Sequence, residues 1–195
     1  MAEVTRRFTV LAVCTANICR SPIMEVLLRS RLDPRHFEVA SAGVRGWDRS
    51  PMDAMAAMEL MRLGHDPTGF ESHPIDGYLV GSANLVLTAT REHRSAVLEH
   101  SPLALRRSFT LLEFADLVDT VDADSPPALV AEAARLRGSA GSVLDIQDPY
   151  RRSPQVHRDT ADEIDRACST IAARLNALVG VGGSSAGGAP GAALP

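Results

Sequence analysis

Phe8-Thr9-Val10-Leu11-Ala12-Val13 carries no charge and is rich in β-formers. It gives way through a loop, Cys14 to Ser21, to Pro22. A short apolar run of this composition reads as a strand buried on both faces, and proline is favoured at the first position of a helix. A strand with two buried faces, followed at once by a helix, opens a parallel βαβ arrangement with helices covering both sides of the sheet. The rest of the chain keeps that alternation. The helix from Pro22 runs to about Arg31, Phe37 to Ala40 is a second strand, and Ser41 to Arg49 is a loop containing glycine. Ser50-Pro51-Met52-Asp53 predicts a helix start in which Ser50 caps and Asp53 answers three residues later; that helix stops at Gly64. Asn84 to Thr88 and Ser108 to Leu111 read as the third and fourth strands, with a helix over Glu92 to Glu99 between them. Asp116 to Asp124 reads as an acidic loop and Ala128 to Arg137 as a helix. Gln155 to Val179 is the last helix, with Ile164, Cys168, Ile171, Leu175 and Leu178 on one stripe. Residues 1–179 are expected to form one domain. Gly180 to Pro195, with six glycines and no charge, is expected to be a disordered tail.

Composition narrows the chemistry. All 20 basic residues are arginine and none is lysine, so neither a Walker-type phosphate loop nor a Schiff-base lysine is available. Arginine's planar fork is instead suited to holding phosphate oxygens in pairs. The formal net charge of −4 is unlike that of a nucleic-acid binder. No run approaches the roughly 20 apolar residues of a membrane span, and Met1 to Phe8 has no signal-peptide core, so a cytoplasmic protein is expected. The three cysteines form no Cys-x2-Cys pair and the histidines no metal-binding spacing, so no metal or cofactor is required.

Two of those cysteines, Cys14 and Cys19, fall in the loop after the first strand. In an open α/β sheet, ligands bind at that place. Thr15, Ala16, Asn17, Ile18 and Cys19, in a loop that turns into a helix, aim their backbone N–H groups inward, and the helix dipole adds partial positive charge, which makes a nest for a tetrahedral dianion. Cys14 opens the loop at the floor of the nest, where the same field favours a thiolate. Arg20 closes it and can clamp two phosphoryl oxygens. Asn17 tolerates the left-handed conformation that a tight loop needs. Ser21 can donate a hydrogen bond to the sulfur.

Val13-Cys14-Thr15-Ala16-Asn17-Ile18-Cys19-Arg20-Ser21-Pro22 resembles the phosphate loop of the low-molecular-weight protein tyrosine phosphatases. The likeness continues through Ser41-Ala42-Gly43 with Trp47 beyond, Leu85 to Arg94, Phe109-Thr110-Leu111 and Asp148-Pro149-Tyr150, and so spans Phe8 to Leu178. The resemblance implies a Rossmann-like three-layer sandwich, its central four-stranded parallel sheet flanked by helices on both faces. It also implies a metal-independent phosphatase in which Cys14 attacks phosphorus to give a phosphocysteine. Asp148 would protonate the leaving phenolate and then activate water, with Asp145 the nearest rival for that role. By the same resemblance Trp47 and Tyr150 wall the pocket, and Ser41 hydrogen-bonds Asn17. Cys19 forms a reversible disulfide with Cys14, unless it is plain loop packing. The implied partners are a phosphotyrosine-containing protein substrate and a cognate bacterial tyrosine kinase.

The chain departs from the family where many members carry a supporting histidine after the second helix. Phe70 stands there, which leaves His73 as a replacement. Three other functions use a similar loop. Protein arginine phosphatases have Thr where this loop has Ile18. Thioredoxin-linked arsenate reductases need further cysteines near Thr88 to Ser95, where this chain has none. A non-catalytic phosphate-binding module could dispense with Cys14 or Asp148.

Overall fold

A computed structural model describes residues 7–141 and 144–180. Strand β1 (Phe8–Cys14) lies at the centre of a four-stranded sheet of order β2-β1-β3-β4, every pair parallel, with β2 Phe37–Gly43, β3 Leu85–Thr88 and β4 Ser108–Thr110. The two-residue period of β1 sends Val10, Ala12 and Cys14 to one face and Leu11 and Val13 to the other. Each set enters a separate core. The first packs under α1 (Arg20–Arg31) and the long α7 (Pro154–Gly180) through Leu27, Leu28, Ile164, Ile171 and Leu175. The second packs under α3 (Gly77–Ser82) and α4 (Arg91–His100) through Val80 and Val97. Helices cover both faces, and the fold is the expected α/β three-layer sandwich. Among the described residues no helix is long and apolar enough to cross a membrane.

Several boundaries differ from expectation. Ser50 does not cap a helix. Helix α2 (Ala54–Arg62) begins after Asp53, whose carboxylate accepts from Met55 N at 3.0 Å and Ala56 N at 3.2 Å, while Ser50 ties backbone to Ser72. Strand β2 continues past Ala40 to Gly43 because its whole length pairs with β1, ending at Cys14 opposite Gly43. Ser41 therefore sits on a strand end rather than in a loop. The acidic stretch expected as a loop begins inside α5 (Leu111–Val118), which a capping box between Thr110 and Glu113 starts right after the three-residue β4. Helix α6 spans Pro126–Arg135. Short α3 and a 3₁₀ segment at Pro102–Arg107 had no clear sequence signal. Of the expected tail only Gly180 lies within the described residues, where it ends α7.

Candidate active site

β1 delivers Cys14, and α1 begins at Arg20, so the intervening five residues must turn sharply. Asn17 makes the turn with φ of 57°. Three of the loop's carbonyls are occupied from outside: Cys14 O accepts from Val44 N at 2.9 Å, Thr15 O from Arg45 N at 2.8 Å and Ile18 O from Asp53 N at 2.9 Å. The N–H groups of Thr15 to Cys19 find no protein acceptor among the described residues, and Cys19 at the helix N-cap supplies no side-chain cap. A row of orphan donors at a helix N-terminus is an anion site by construction. The loop can approach β2 this closely because residue 43 is glycine. A Cβ there would meet Ala16 C and Asn17 N at 2.8 Å.

Asn17 is wholly buried and uses both ends of its amide. Its Nδ2 donates to Ser21 Oγ at 2.9 Å and to Ser41 Oγ at 2.7 Å, and its Oδ1 accepts from the backbone N of His73 at 2.8 Å. Ser41 in turn donates to Glu25, a buried carboxylate on α1 that is also paired with Arg29. His73 thus enters the network through its backbone, and Phe70 stays outside it, lining a cleft of about 900 Å³ beyond β2. Ser21 donates to Cys14 Sγ at 3.0 Å, a hydrogen bond that favours negative charge on the sulfur.

Arg20 is buried, its side chain 4% exposed, and it forms the other part of the floor. Nη1 donates to Ile146 O at 3.1 Å, and Nη2 reaches both Thr15 Oγ1 at 3.2 Å and Asp148 Oδ2 at 3.1 Å. Its Nε is buried with no protein partner among the described residues. A buried, unpaired guanidinium N–H is costly unless an acceptor fills the site, and a phosphoryl oxygen supplies one.

Above this floor is a pocket of about 230 Å³ that Ile18, Trp47 and Tyr150 wall, with Arg45 on its rim and Asp148 at its mouth. Trp47 is 56% exposed and belongs to the pocket rather than to the core. Asp145 is engaged elsewhere, in a two-pronged ion pair with Arg91, which holds its carboxyl below the usual range. Cys19 is buried, and that burial, with Asp53 and Cys14 nearby, pushes its thiol pKa up. Cys168 lies wholly buried in the α7 stripe.

The sequence alone does not single out Arg45 on the pocket rim, nor two residues that support the loop. Glu25 looks like an ordinary polar position of an amphipathic helix, and only the burial of the first half of α1 on every side reveals it. His93, the third residue of α4, is buried beside the loop. Its Nε2 lies 2.8 Å from Thr15 Oγ1 and its Nδ1 2.8 Å from Thr90 Oγ1.

The family model for low molecular weight phosphotyrosine protein phosphatases matches residues 9–132. The chain belongs to that family. It is 30% identical over 168 residues to the low molecular weight protein-tyrosine-phosphatase Etp of Escherichia coli K12, an alignment covering 86% of this chain and 95% of that protein. Its fold is similar to that of the YwlE arginine phosphatase from Geobacillus stearothermophilus, with TM-score 0.69, 28% identity, and coverage of 87% of this chain and 94% of that one. A solved structure of Vibrio vulnificus Wzb in complex with benzylphosphonate gives TM-score 0.67 and 26% identity, covering 87% of this chain and all of that one.

Proposed function

We propose that this phosphatase hydrolyses phosphotyrosine in proteins, with Cys14 as nucleophile, Arg20 as phosphate clamp and Asp148 as general acid and base. The observation that carries the reading is the floor of the pocket. A thiol that accepts from Ser21 lies there with a buried arginine whose Nε lacks a partner and a loop whose amides lack acceptors. In the first step the Cys14 sulfur forms a bond to phosphorus, the P–O bond to the phenol breaks, and the Asp148 proton goes to the departing oxygen. In the second step Asp148 takes a proton from water, the water oxygen bonds phosphorus and the S–P bond breaks. The Ser21 hydroxyl then stabilises the sulfur as leaving group. Arg20 and the loop amides hold the equatorial oxygens throughout. An arriving dianion competes with Asp148 for Arg20 Nη2, which frees the carboxyl for proton transfer.

The aromatic walls and apolar Ile18 suit a phenyl ring. The Wzb relative's complex with benzylphosphonate, a phenyl ring joined through a methylene to a phosphorus acid, fits the same reading. Arg45 on the rim opposes the positive guanidinium of a phosphoarginine. The arginine phosphatase reading draws on the YwlE relative, and a direct comparison of the two substrates separates them. Arsenate reduction with Cys168 as relay is opposed by the burial of that thiol. The expected partners are a phosphotyrosine protein and its kinase, in the cytoplasm, with residues 1–179 as the catalytic domain. Cys19 is proposed as the thiol that captures an oxidised Cys14, and mass spectrometry after mild peroxide should detect a Cys14–Cys19 disulfide.

The test is hydrolysis of an aryl phosphate in the presence of EDTA. Wild type should be active and Cys14→Ser inactive; activity surviving in Cys14→Ser would sink the mechanism. A phosphotyrosine peptide should exceed a phosphoarginine peptide in kcat/KM, and the reverse order would overturn the substrate.

A further inference from the structure

Arg20 has to be held still, and one of its supports leads away from the catalytic residues. Nη2 can only donate, so the 3.2 Å contact makes Thr15 Oγ1 the acceptor. The same hydroxyl is 2.8 Å from His93 Nε2, and the other ring nitrogen is 2.8 Å from Thr90 Oγ1. Thr90 also caps α4 by accepting from His93 N at 3.3 Å, which fixes both the ring and the helix start in one place. Each neutral tautomer of the ring could make both side-chain contacts. The Arg20 cation on the far side of Thr15 decides between them, because it favours a ring that turns its lone pair, and not an N–H, toward the charge.

We propose that His93 is a positioning residue: neutral, with its proton on Nδ1, it accepts a hydrogen bond from the Thr15 hydroxyl at Nε2, so that the Thr15 lone pair faces Arg20 and fixes the guanidinium for phosphate. The relay runs Arg20 Nη2–H to Thr15 Oγ1, Thr15 O–H to His93 Nε2, and His93 Nδ1–H to Thr90 Oγ1. It rests on the reading of Arg20 as the phosphate clamp. The charges facing the ring are Arg20, Asp148 and Asp145, the last paired to Arg91 on α4. Burial, followed by the Arg20 charge, pushes the His93 pKa down to about 4 against the pull of the two aspartates, so the ring stays neutral over the working range.

The experiment measures binding of inorganic phosphate by calorimetry and turnover of an aryl phosphate, for wild type, His93→Ala, His93→Gln, Thr15→Val and the His93→Ala/Thr15→Val double variant. His93→Ala should weaken phosphate binding about tenfold. His93→Gln, whose amide oxygen can accept the Thr15 proton, should recover most of that loss. The double variant should be no weaker than Thr15→Val alone, because the two residues act through one hydrogen-bonded chain. His93→Ala within twofold of wild type, or losses that multiply in the double variant, would overturn the proposal. Folding gives a separate readout. Below about pH 6.5 the unfolded chain protonates this histidine while the folded chain resists until about pH 4, so wild-type stability should fall across that window as pH falls. His93→Gln should remove that part of the fall, and an unchanged pH profile would count against a neutral ring. Phosphate binding is read without turnover. A wild type that binds phosphate but hydrolyses nothing would therefore strike the Cys14 chemistry, while the binding series still judges His93.

Discussion

The two halves of the active site are built in opposite ways. The phosphate loop is held from behind by a dense set of hydrogen bonds and leaves its amides free for an anion: Asn17 makes three side-chain bonds, Gly43 lets β2 close beneath it, and three of its carbonyls are taken up by residues 44, 45 and 53. The segment bearing Asp148, the proposed acid, is pinned at its start, where Ile146 N donates to Ala89 O at 2.9 Å, Ile146 O accepts from Arg20 and Asp145 pairs with Arg91. Beyond that it is held more loosely: the Asp148 side chain is 53% exposed, tied by its ion pair with Arg20 at 3.1 Å and a 3.3 Å contact from Tyr150 N. The difference follows from the chemistry. Phosphate must meet sulfur and donors already in position, since reorganising them during the reaction would raise the barrier. The proposed acid gives its proton to the leaving group in one step and takes one from the attacking water in the next, and an exposed carboxyl is open to both. Function should therefore separate from stability on the acid side, and the two should fall together on the loop side.

The strongest test of that separation is Asp148→Asn. Removing the proposed general acid should lower kcat by about a hundredfold or more on an aryl phosphate with a poor leaving group, and by less as the leaving group improves. Thermal stability should fall by only about 1 kcal/mol, because the side chain is 53% exposed and Asn keeps an acceptor for Arg20 Nη2 while removing its countercharge. A Tm drop matching that of a core variant would show that the segment is structural after all.

Asn17→Ala should do the converse. It removes three hydrogen bonds from a fully buried position and leaves a residue with a Cβ at φ of 57°. A loss of about 2–4 kcal/mol in chemical denaturation is expected, together with a fall in kcat/KM of about tenfold or more. Asn17→Gly relieves the backbone part alone and should recover a fraction of the stability, leaving the hydrogen-bonding share measurable. Equal losses in the two variants would mean that conformation contributes nothing.

The same contrast explains what a reader of the bare sequence can find. Cys14, Arg20 and Ser21 lie within one loop between a recognisable strand and helix, so their spacing exposes their chemistry. Asp148-Pro149-Tyr150 is compact for the same reason. Glu25 and His93 support the loop from helices, and their positions fit the ordinary pattern of a charged or polar helical face. What reveals them is packing: the first turns of α1 are enclosed on all sides, and the start of α4 lies against Thr15. The fold shows a similar division. β1 was visible because both its faces are apolar, whereas α5 was hidden because its acidic residues resemble a loop until the Thr110–Glu113 capping box is seen. Ser50 was read as the cap of α2 because nothing in the local sequence says that Ser50 is occupied by Ser72 and leaves Asp53 to do the capping.

Glu25→Gln is a finer cut into the loop side. It keeps the shape and an acceptor for Ser41 but removes the charge that Arg29 pairs with. Because Arg29 is itself well exposed, the ion pair contributes little, and the principal loss is the charge-assisted bond from Ser41. A loss of about 1 kcal/mol and a fall in kcat/KM of a few-fold are expected. Glu25→Ala, which leaves Ser41 without its acceptor, should cost more on both counts. If Glu25→Ala were as active as wild type, Ser41 and Asn17 would hold the loop without help from α1.

The smallest effects on stability and kcat belong to the pocket walls, and they test whether the acid side also reads the substrate. Tyr150 is 38% exposed and Trp47 is 56% exposed, so neither contributes much to the core. An aryl group entering between them would cover part of each ring, and offset or edge contacts between aromatic rings are worth about 0.5–1.5 kcal/mol. Tyr150→Ala should therefore raise KM for an aryl phosphate by about threefold to tenfold with kcat nearly unchanged, since a wall touches the ring in both ground and transition states. An alkyl phosphate, which has no ring to cover, should feel the substitution much less. Arg151 lies 5.2 Å from the Tyr150 ring centroid and would lose that contact as well, so Arg151→Ala is the needed control. If Tyr150→Ala lowered kcat on both substrates alike, the ring would be placing Asp148 rather than holding the substrate, and the division between a fixed nucleophile loop and a loosely held acid would have to include the tyrosine.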